Sequence, residues 1–401
     1  MRSLKKHKVK IVMLQDFFGL ECSYQENLLT EYYVKMGHQV VVITSTFESI
    51  FDYVNNKYNP KLSKKTEDYK GGKIIRLPYQ LRFQNRFRRH KGVYNILEDE
   101  KPDLIFLHGI HLNLVEVARY KNKYSECKII MDYHADSSNS ANNWLSLNIL
   151  HKVIYKKILH KYIRYIDRFF PVTPSSTQFL NEVYDVPLDK MELLPLGCDH
   201  DLSKKLIRDV DKNRLKEKFS IKENDFVIIS GGKLDPSKKT NLLITALRVI
   251  ENKRKIHLIV FGAPRKGYEQ YYEHLIESGK DLNIHFTGWL STEKILELMS
   301  ISNIAVYPAS QSVLWQQSIG MHLPLIVGDK NGQSAEYLNR ANNVIVLPKE
   351  EMTANNLAIH IQRIMNEPRL EKSMREGAEI VATTFLDYKI ICSKTLNVFE
   401  H

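Results

Sequence analysis

Two rhythms alternate along the 401 residues of this chain. Short unbroken apolar runs, rich in Val and Ile, are separated by stretches in which apolar residues return every three or four positions. The runs Val9–Leu14, Gln39–Thr44, Lys73–Leu77, Asp103–His108, Cys127–Tyr133 and Arg168–Val172 read as strands buried on both faces. So do Phe226–Ser230, Ile256–Phe261, Asn283–Phe286, Asn303–Tyr307, Leu325–Val327 and Asn343–Leu347. Between them, Tyr24–Met36 carries Leu28, Leu29, Tyr32, Tyr33 and Met36 on one helical face and is closed by Gly37. Helices are also predicted near Val93–Glu98, at Leu145–Arg168, after residue 239, at Val313–Met321 and from Gly377 to Phe399. Strands alternating with helices predict an α/β chain with doubly wound, mainly parallel sheets. The charged stretch Lys204–Asp225 separates two such sets, giving domains 1–202 and 203–376 and a terminal helix, 377–401.

Composition changes this picture little. The length allows two ordinary cores. Cys22, Cys127, Cys198 and Cys392 are scattered without metal-type spacing, which predicts a reducing, cytoplasmic setting. The first apolar run is too short for a signal sequence, and none approaches a membrane span. Charge is more informative. The net charge is +12, two thirds of it in residues 1–200. From Tyr69 to Leu97 there are eight basic residues and no acid. Such a face attracts polyanions, whether nucleic acid, anionic lipid or a pyrophosphate, or is simply a solvated basic surface. Leu145–Arg168 interleaves Leu147, Leu150, Ile154, Ile158, Tyr162 and Tyr165 with Lys152, Lys156, Lys157, Lys161 and Arg164. It can pack one face on its own domain or lie on an anionic bilayer.

Chemistry is expected where strands end. The first strand is followed by Gly19 and lacks Gly-x-Gly-x-x-Gly, which argues against a dinucleotide cofactor. The strand Cys127–Tyr133 ends in His134-Ala135-Asp136-Ser137-Ser138, and His108 and His111 follow the strand before it. Such polar clusters sit where open α/β sheets place ligands. Phe226–Ser230 runs into Gly231-Gly232-Lys233-Leu234-Asp235-Pro236-Ser237-Lys238, where glycines admit close approach and two lysines add charge. Asn303–Tyr307 leads through Pro308, Ser310 and Ser312 into a helix whose first-turn amides near Val313 and Leu314 could meet an anion. The same geometry also serves an ordinary crossover.

The wording of residues 305–337 resembles the donor-sugar motif of retaining glycosyltransferases of family 4, the group 1 transferases with the GT-B fold. Pro308 and Pro324 lie in register with that motif's two prolines. Its two glutamates fall on Ala309 and Gln317, so both are replaced. Gly37-His38-Gln39-Val40-Val41-Val42-Ile43-Thr44 resembles the family's first unit. Lys233 and Lys238 take the positions of the Arg and Lys that grip the donor pyrophosphate. His134 matches a His facing the sugar, and Trp289 follows a run that resembles the nucleobase pocket. The resemblance implies two Rossmann-like domains facing across a cleft, the first supplying the acceptor surface and the second binding the nucleotide sugar, with 377–401 crossing back to the first. It implies transfer of a sugar, with retention, from a UDP- or GDP-linked donor to a glycan or lipid-linked acceptor, as in polysaccharide biosynthesis. No metal and no enzyme nucleophile are implied, and no nucleic-acid partner. The catalytic candidates are Lys233, Lys238 and His134. The donor-binding candidates are Gly19, Gly232, Ser310, Ser312, Val313, Leu314, Gln317 and Trp289. The expected location is cytoplasmic, at the inner face of the membrane. A catalytically silent module of this fold, or an epimerase or phosphorylase, is the alternative that the missing glutamates raise.

Overall fold

The computed structural model describes residues 8–400 apart from 56–64, 84–85, 142, 252, 310–311 and 330–334. The chain forms two compact units, Met1–Pro195 with Tyr388–His401, and Leu196–Asp387.

The first unit contains β1 (Lys10–Leu14), β2 (Gln39–Ser45), β3 (Thr66–Tyr69), β4 (Gly72–Leu77), β5 (Tyr79–Phe83), β6 (Phe87–His90), β7 (Leu104–His108), β8 (Lys128–Tyr133) and β9 (Arg168–Pro171). Seven of these make one sheet in the order β3-β4-β2-β1-β7-β8-β9, parallel except for the edge strand β3. Helices cover both faces, so the central strands are buried throughout, as their unbroken apolar runs require. The terminal helix Tyr388–Leu396 lies against the helix Gln25–Lys35. Tyr388 and Tyr32 rings are 5.7 Å apart, and the Tyr33 hydroxyl is 2.5 Å from Thr395 Oγ1.

The second unit contains β10 (Phe226–Gly231), β11 (Ile256–Phe261), β12 (Asn283–Gly288), β13 (Ile304–Tyr307), β14 (Leu325–Gly328) and β15 (Val344–Leu347). They form one parallel sheet ordered β12-β11-β10-β13-β14-β15. Counted along the parallel strands, both units have the order 3-2-1-4-5-6. The direction of winding reverses between β1 and β7 in one unit and between β10 and β13 in the other. At such a reversal the flanking helices diverge and open a crevice at the strands' carboxyl ends.

Three expectations need correction. Tyr79–Phe83 and Phe87–His90 pair as antiparallel strands, β5 with β6, instead of lying in a plain basic segment. The alternation of Tyr79, Leu81 and Phe83 with Gln80 and Arg82 is the period-two signal of a strand. Most cations of the acid-free stretch are also closed by acids from elsewhere in the chain. Lys70 meets Glu31, Lys73 meets Glu100, Arg76 meets Glu67, Arg88 meets Asp16 and Arg89 meets Glu116. A uniform polyanion-binding face is therefore replaced by a few exposed positions such as Arg82 and Arg86.

Neither long helix is a single α-helix. The first is π-wound over Ser146–Tyr155, α-helical over Lys156–Tyr162 and tightens to a 3₁₀ turn at Ile163–Tyr165. The last breaks at Asp387, after a π-turn at Ala382–Leu386 that joins Pro368–Val381 to the terminal helix. Widened turns change the face on which a side chain emerges, so a strict 3.6-residue reading misplaces residues such as Ile154, which is 37% exposed.

Arg76 is fully buried and donates to Glu67, to the Ser45 carbonyl and to the Phe18 carbonyl. Removing one partner of such a group strands the other's charge. Arg76→Met is expected to destabilise the first unit by about 3–5 kcal/mol in urea unfolding. Loss of exposed Arg82 is expected to change the midpoint little.

Candidate active site

In the second unit the carboxyl ends of β10, β11 and β12 are welded together by glycine backbones. Gly232 donates to the Phe261 carbonyl and Gly262 to the Gly288 carbonyl, at 3.0 and 2.7 Å. A Cβ on Gly262 would lie 1.8 Å from the Gly232 oxygen, and φ there is +110°. These glycines thus let strand ends approach one another, and Trp289, 73% exposed, follows directly on the last of them. A Cβ on Gly232 would meet only Leu314, at 3.4 Å. The Gly-Gly-Lys loop and the helix Leu314–Gly320 therefore meet at the reversal between β10 and β13. Lys233 is exposed and Lys238 half-buried. The loop's own carboxylate, Asp235, is bonded to Ser237 and lies 3.6 Å from Arg265.

The helix start is less open than expected. Ser312 Oγ accepts from the Leu314 amide and the Ser312 carbonyl from the Trp315 amide, at 3.3 and 3.1 Å. Those two donors are thereby taken, because Val313 is already αR and turns the chain back onto Ser312. Gln317 is half-buried, whereas its neighbour Gln316 is buried and donates to Tyr337. Ser310 lies outside the described residues.

In the first unit the reversal between β1 and β7 gathers imidazoles. Asp132, on β8, is fully buried. Its Oδ2 accepts from His108 Nδ1 at 2.7 Å and lies 3.2 Å from His134 Nε2. Burial disfavours both charges, but mutual attraction prevails. His108 is raised to about 9, and Asp132 is held well below the usual carboxylate range. Burial raises Glu26, close by. A second group joins Asp16 to Arg88 and Tyr79, with His90 and His111 nearby. Burial lowers both of these imidazoles, His90 to about 4. Both groups have a spacing that a cation could use. Asp16 is committed to a guanidinium and a phenol, and Asp132 Oδ2 to its two histidines, so neither group is read as a metal centre. Gly19 sits in the loop after β1, where its carbonyl accepts from buried Asn27.

Beside the first group lies an open pocket of about 260 Å³. Its walls include His108 and His134 on one side and His151 and Tyr155 of the π-wound helix on the other.

Comparison with known proteins fits this layout. Residues 27–202 match the profile of glycosyltransferase family 4 and residues 211–381 that of the group 1 glycosyl transferases. The chain belongs to the group 1, family 4 glycosyltransferases, of GT-B fold. It is 23% identical over 288 residues to the chitobiosyldiphosphodolichol beta-mannosyltransferase of Candida glabrata, covering 64% of this chain and 61% of that one. The chain spans about half to three fifths of the length of the curated relatives it matches. Among solved structures, Anabaena Alr3699/HepE in complex with UDP superposes with TM-score 0.70 at 15% identity, over 98% of this chain and 100% of that one. A glycosyltransferase from Rickettsia africae gives 0.67 at 14% identity, with 98% of each chain covered.

The expected residues are divided between the two units. Gly19 and His134 are in the first unit, and Gly232, Lys233, Lys238, Trp289, Ser312, Val313, Leu314 and Gln317 in the second. Asp132 was missed, although an acid inside an apolar strand is a visible signal. His151, Tyr155 and Tyr184 gave none, since helical spacing assigns them to a packed face. Gly262 carried a faint signal, a glycine closing a strand.

The glycine weld is directly testable. Gly262→Ala is expected to lose roughly 2–5 kcal/mol, from backbone strain plus overpacking. Gly267→Ala, also at positive φ but with nothing within 4 Å of its added Cβ, is expected to lose only about 1 kcal/mol. Urea unfolding of the two variants provides the comparison.

Proposed function

We propose that this glycosyltransferase moves a hexose from a nucleoside diphosphate sugar, UDP- or GDP-linked, to a glycan or lipid-linked acceptor with retention at the anomeric carbon. The observation that carries the reading is the meeting of the Gly-Gly-Lys loop with the helix at Leu314, at the point where the second sheet reverses. That crevice has two lysines for a pyrophosphate, a half-buried amide at Gln317 for ribose hydroxyls and an exposed aromatic, Trp289, for a base. The Anabaena protein with UDP has the same fold, which supports a nucleotide there.

The chemistry asks for positioning and charge. The bond from the anomeric carbon to the β-phosphate oxygen breaks, and its electron pair leaves with the diphosphate. The acceptor oxygen bonds to that carbon on the same face, and its proton passes to the leaving phosphate oxygen. Lys233 and Lys238 hold the charge that develops, with no metal needed. A preorganised contact of this kind contributes about 2.7–4 kcal/mol to the transition state.

Incubation with a panel of nucleotide sugars, read by release of nucleoside diphosphate, tests the reading; no release from any donor rejects it. With the best donor, Lys238→Ala is expected to be about a hundredfold slower, since the lost contact acts on the transition state. Its unfolding midpoint should stay near that of the wild type.

The first unit supports a place at the membrane. Trp144, Leu145, Ile149 and Val153 are 42–69% exposed on and just before the π-wound helix, with Lys152 and Lys157 beside them. Leu81 and Phe83 are exposed on the hairpin, which reaches this helix through Phe87 and Tyr155, rings 5.5 Å apart. Apolar anchors flanked by cations suit an anionic interface. No helix among the described residues is long and apolar enough to cross a membrane. Binding to phosphatidylglycerol vesicles is expected to exceed binding to phosphatidylcholine vesicles and to fall with salt. In Trp144→Ser/Ile149→Ser it should weaken at least tenfold; equal binding to both vesicles would exclude this surface.

A further inference from the structure

The two strands that lead into the donor crevice are held to each other by a short ladder. β10 and β13 are in register only at Ile228 with Ile304 and Ile229 with Ala305, whereas β10 and β11 stay in register from Phe226 to Gly231. Few ladder bonds leave the angle between two strands weakly fixed. At the amino ends of these strands, side chains take over from the ladder. The Asn303 amide donates to the Val227 carbonyl, and Asn303 Oδ1 accepts from the Val227 amide, at 2.7 and 2.8 Å. Asn303 Nδ2 donates to Glu371 Oε1 at 3.1 Å, and the Asn303 carbonyl accepts from Arg375 Nη2 at 3.0 Å. Every polar atom of Asn303 is thus engaged.

Arg375 reaches further. Its Nη2 also donates to the Ser302 carbonyl at 2.8 Å, its Nη1 reaches the His322 carbonyl at 3.5 Å, and its Nε donates to Glu371 at 3.0 Å. Ser302 and His322 hold equivalent places. Each follows the C-cap of a helix, Ile301 after Thr292–Ser300 and Met321 after Leu314–Gly320. Helix carboxyl ends present unpaired carbonyls and partial negative charge. One guanidinium on the helix Pro368–Val381 serves both ends, and Glu371, one turn before it, fixes its plane.

We propose that Arg375 is a positioning residue for sugar transfer. It pins the amino end of β13 and the turn that leads into β14, and so sets the spacing between the Gly-Gly-Lys loop after β10 and the helix Leu314–Gly320 after β13. The proposal rests on the reading of that crevice as the donor site and names the group that holds its walls in place. Arg375 takes both ends of the crossover that carries this helix, Ser302 and Asn303 where the chain enters and His322 where it leaves. A planar fork of donors suits several carbonyls at once, which an ammonium does not match. The four residues of β13 separate the clamp from Pro308, a span of roughly 13 Å at 3.3 Å per residue. Arg375 therefore acts through the backbone and not by touching the donor. The crevice walls are close, since a Cβ added to Gly232 would lie 3.4 Å from Leu314. A small tilt of either strand changes that approach, and misplacing groups by about 1 Å can cost about a hundredfold in rate.

Amide exchange on the full chain, followed by mass spectrometry, reads the clamp without a ligand. In Arg375→Ala, peptides covering 231–239 and 312–321 are expected to exchange at least tenfold faster, while 256–261 of β11 stays as in the wild type. The affinity for UDP or GDP, measured by calorimetry, and kcat/KM with the best donor are each expected to fall about tenfold. The Arg375 side chain is 33% exposed, so its site is open to a small solute. Millimolar ethylguanidinium is therefore expected to restore both the exchange pattern and the affinity. Should Arg375→Ala unfold, Arg375→Lys decides, with the same two segments affected to a smaller degree. Unchanged exchange at both segments would overturn the proposal. So would faster exchange spread evenly over the second unit, because that marks lost stability and not lost position. Nucleotide affinity that is unchanged in the variant, in a wild type that binds UDP or GDP, would also overturn it and leave the donor reading intact. A wild type that binds neither nucleotide rejects the donor reading itself, and the role in transfer with it.

Discussion

A parallel sheet covered on both faces leaves polar chemistry nowhere to go except its strand ends. Every interior position of β1, β7, β10 and β13 faces packed side chains, and a polar group there would lose water without replacement. At the carboxyl ends, and most of all where the winding reverses, the flanking helices diverge and the constraint lifts. Both units obey this rule with the same strand order. One places a lysine-bearing glycine loop against a helix start at that point. The other places there an aspartate beneath two imidazoles. The difference in chemistry comes from what each loop carries, while the place was set by backbone pairing.

Strand positions were legible in the sequence because fully buried strands read as unbroken apolar runs, and these strands have almost no alternative. β11 spans the residues expected for it, Ile256–Phe261. The hairpin of β5 and β6 was hidden because its alternating pattern sat inside a basic stretch, where charge drew more notice than period. The two long helices were misread for a different reason. π-turns break the regular angular step on which amphipathic counting depends, and nothing in the local composition of Ser146–Tyr155 announces a wider turn.

The candidate site was legible where it rests on residue type and illegible where it rests on partners. Gly232, Lys233 and Lys238 carry their chemistry in their side chains or in the lack of one. Asp132 does not, since its importance lies in bonding two histidines on two different strand ends. Arg88 likewise looked like part of a cationic surface until Asp16, 72 positions away, closed it. Long-range pairing is a property of the sheet order, which the sequence leaves open among several windings.

The missing glutamates can be weighed against this geometry. Ala309 is 5% exposed, so a glutamate there would have to bury its carboxylate unless a ligand met it. At 317 the half-buried glutamine keeps a donor and an acceptor without a charge. A carboxylate beside a pyrophosphate repels it, and the more so where water is scarce. With neutral residues at both positions, and Asp235 committed to Ser237 and set beside Arg265, Lys233 and Lys238 would act on the proposed diphosphate with less opposition. What is given up is the strong, charge-assisted grip on hydroxyls that a glutamate supplies. In the proposed reading the second unit would then hold phosphate through cations and hydroxyls through an amide. There, selectivity among donor sugars would depend on shape and hydrogen-bond geometry more than on charge.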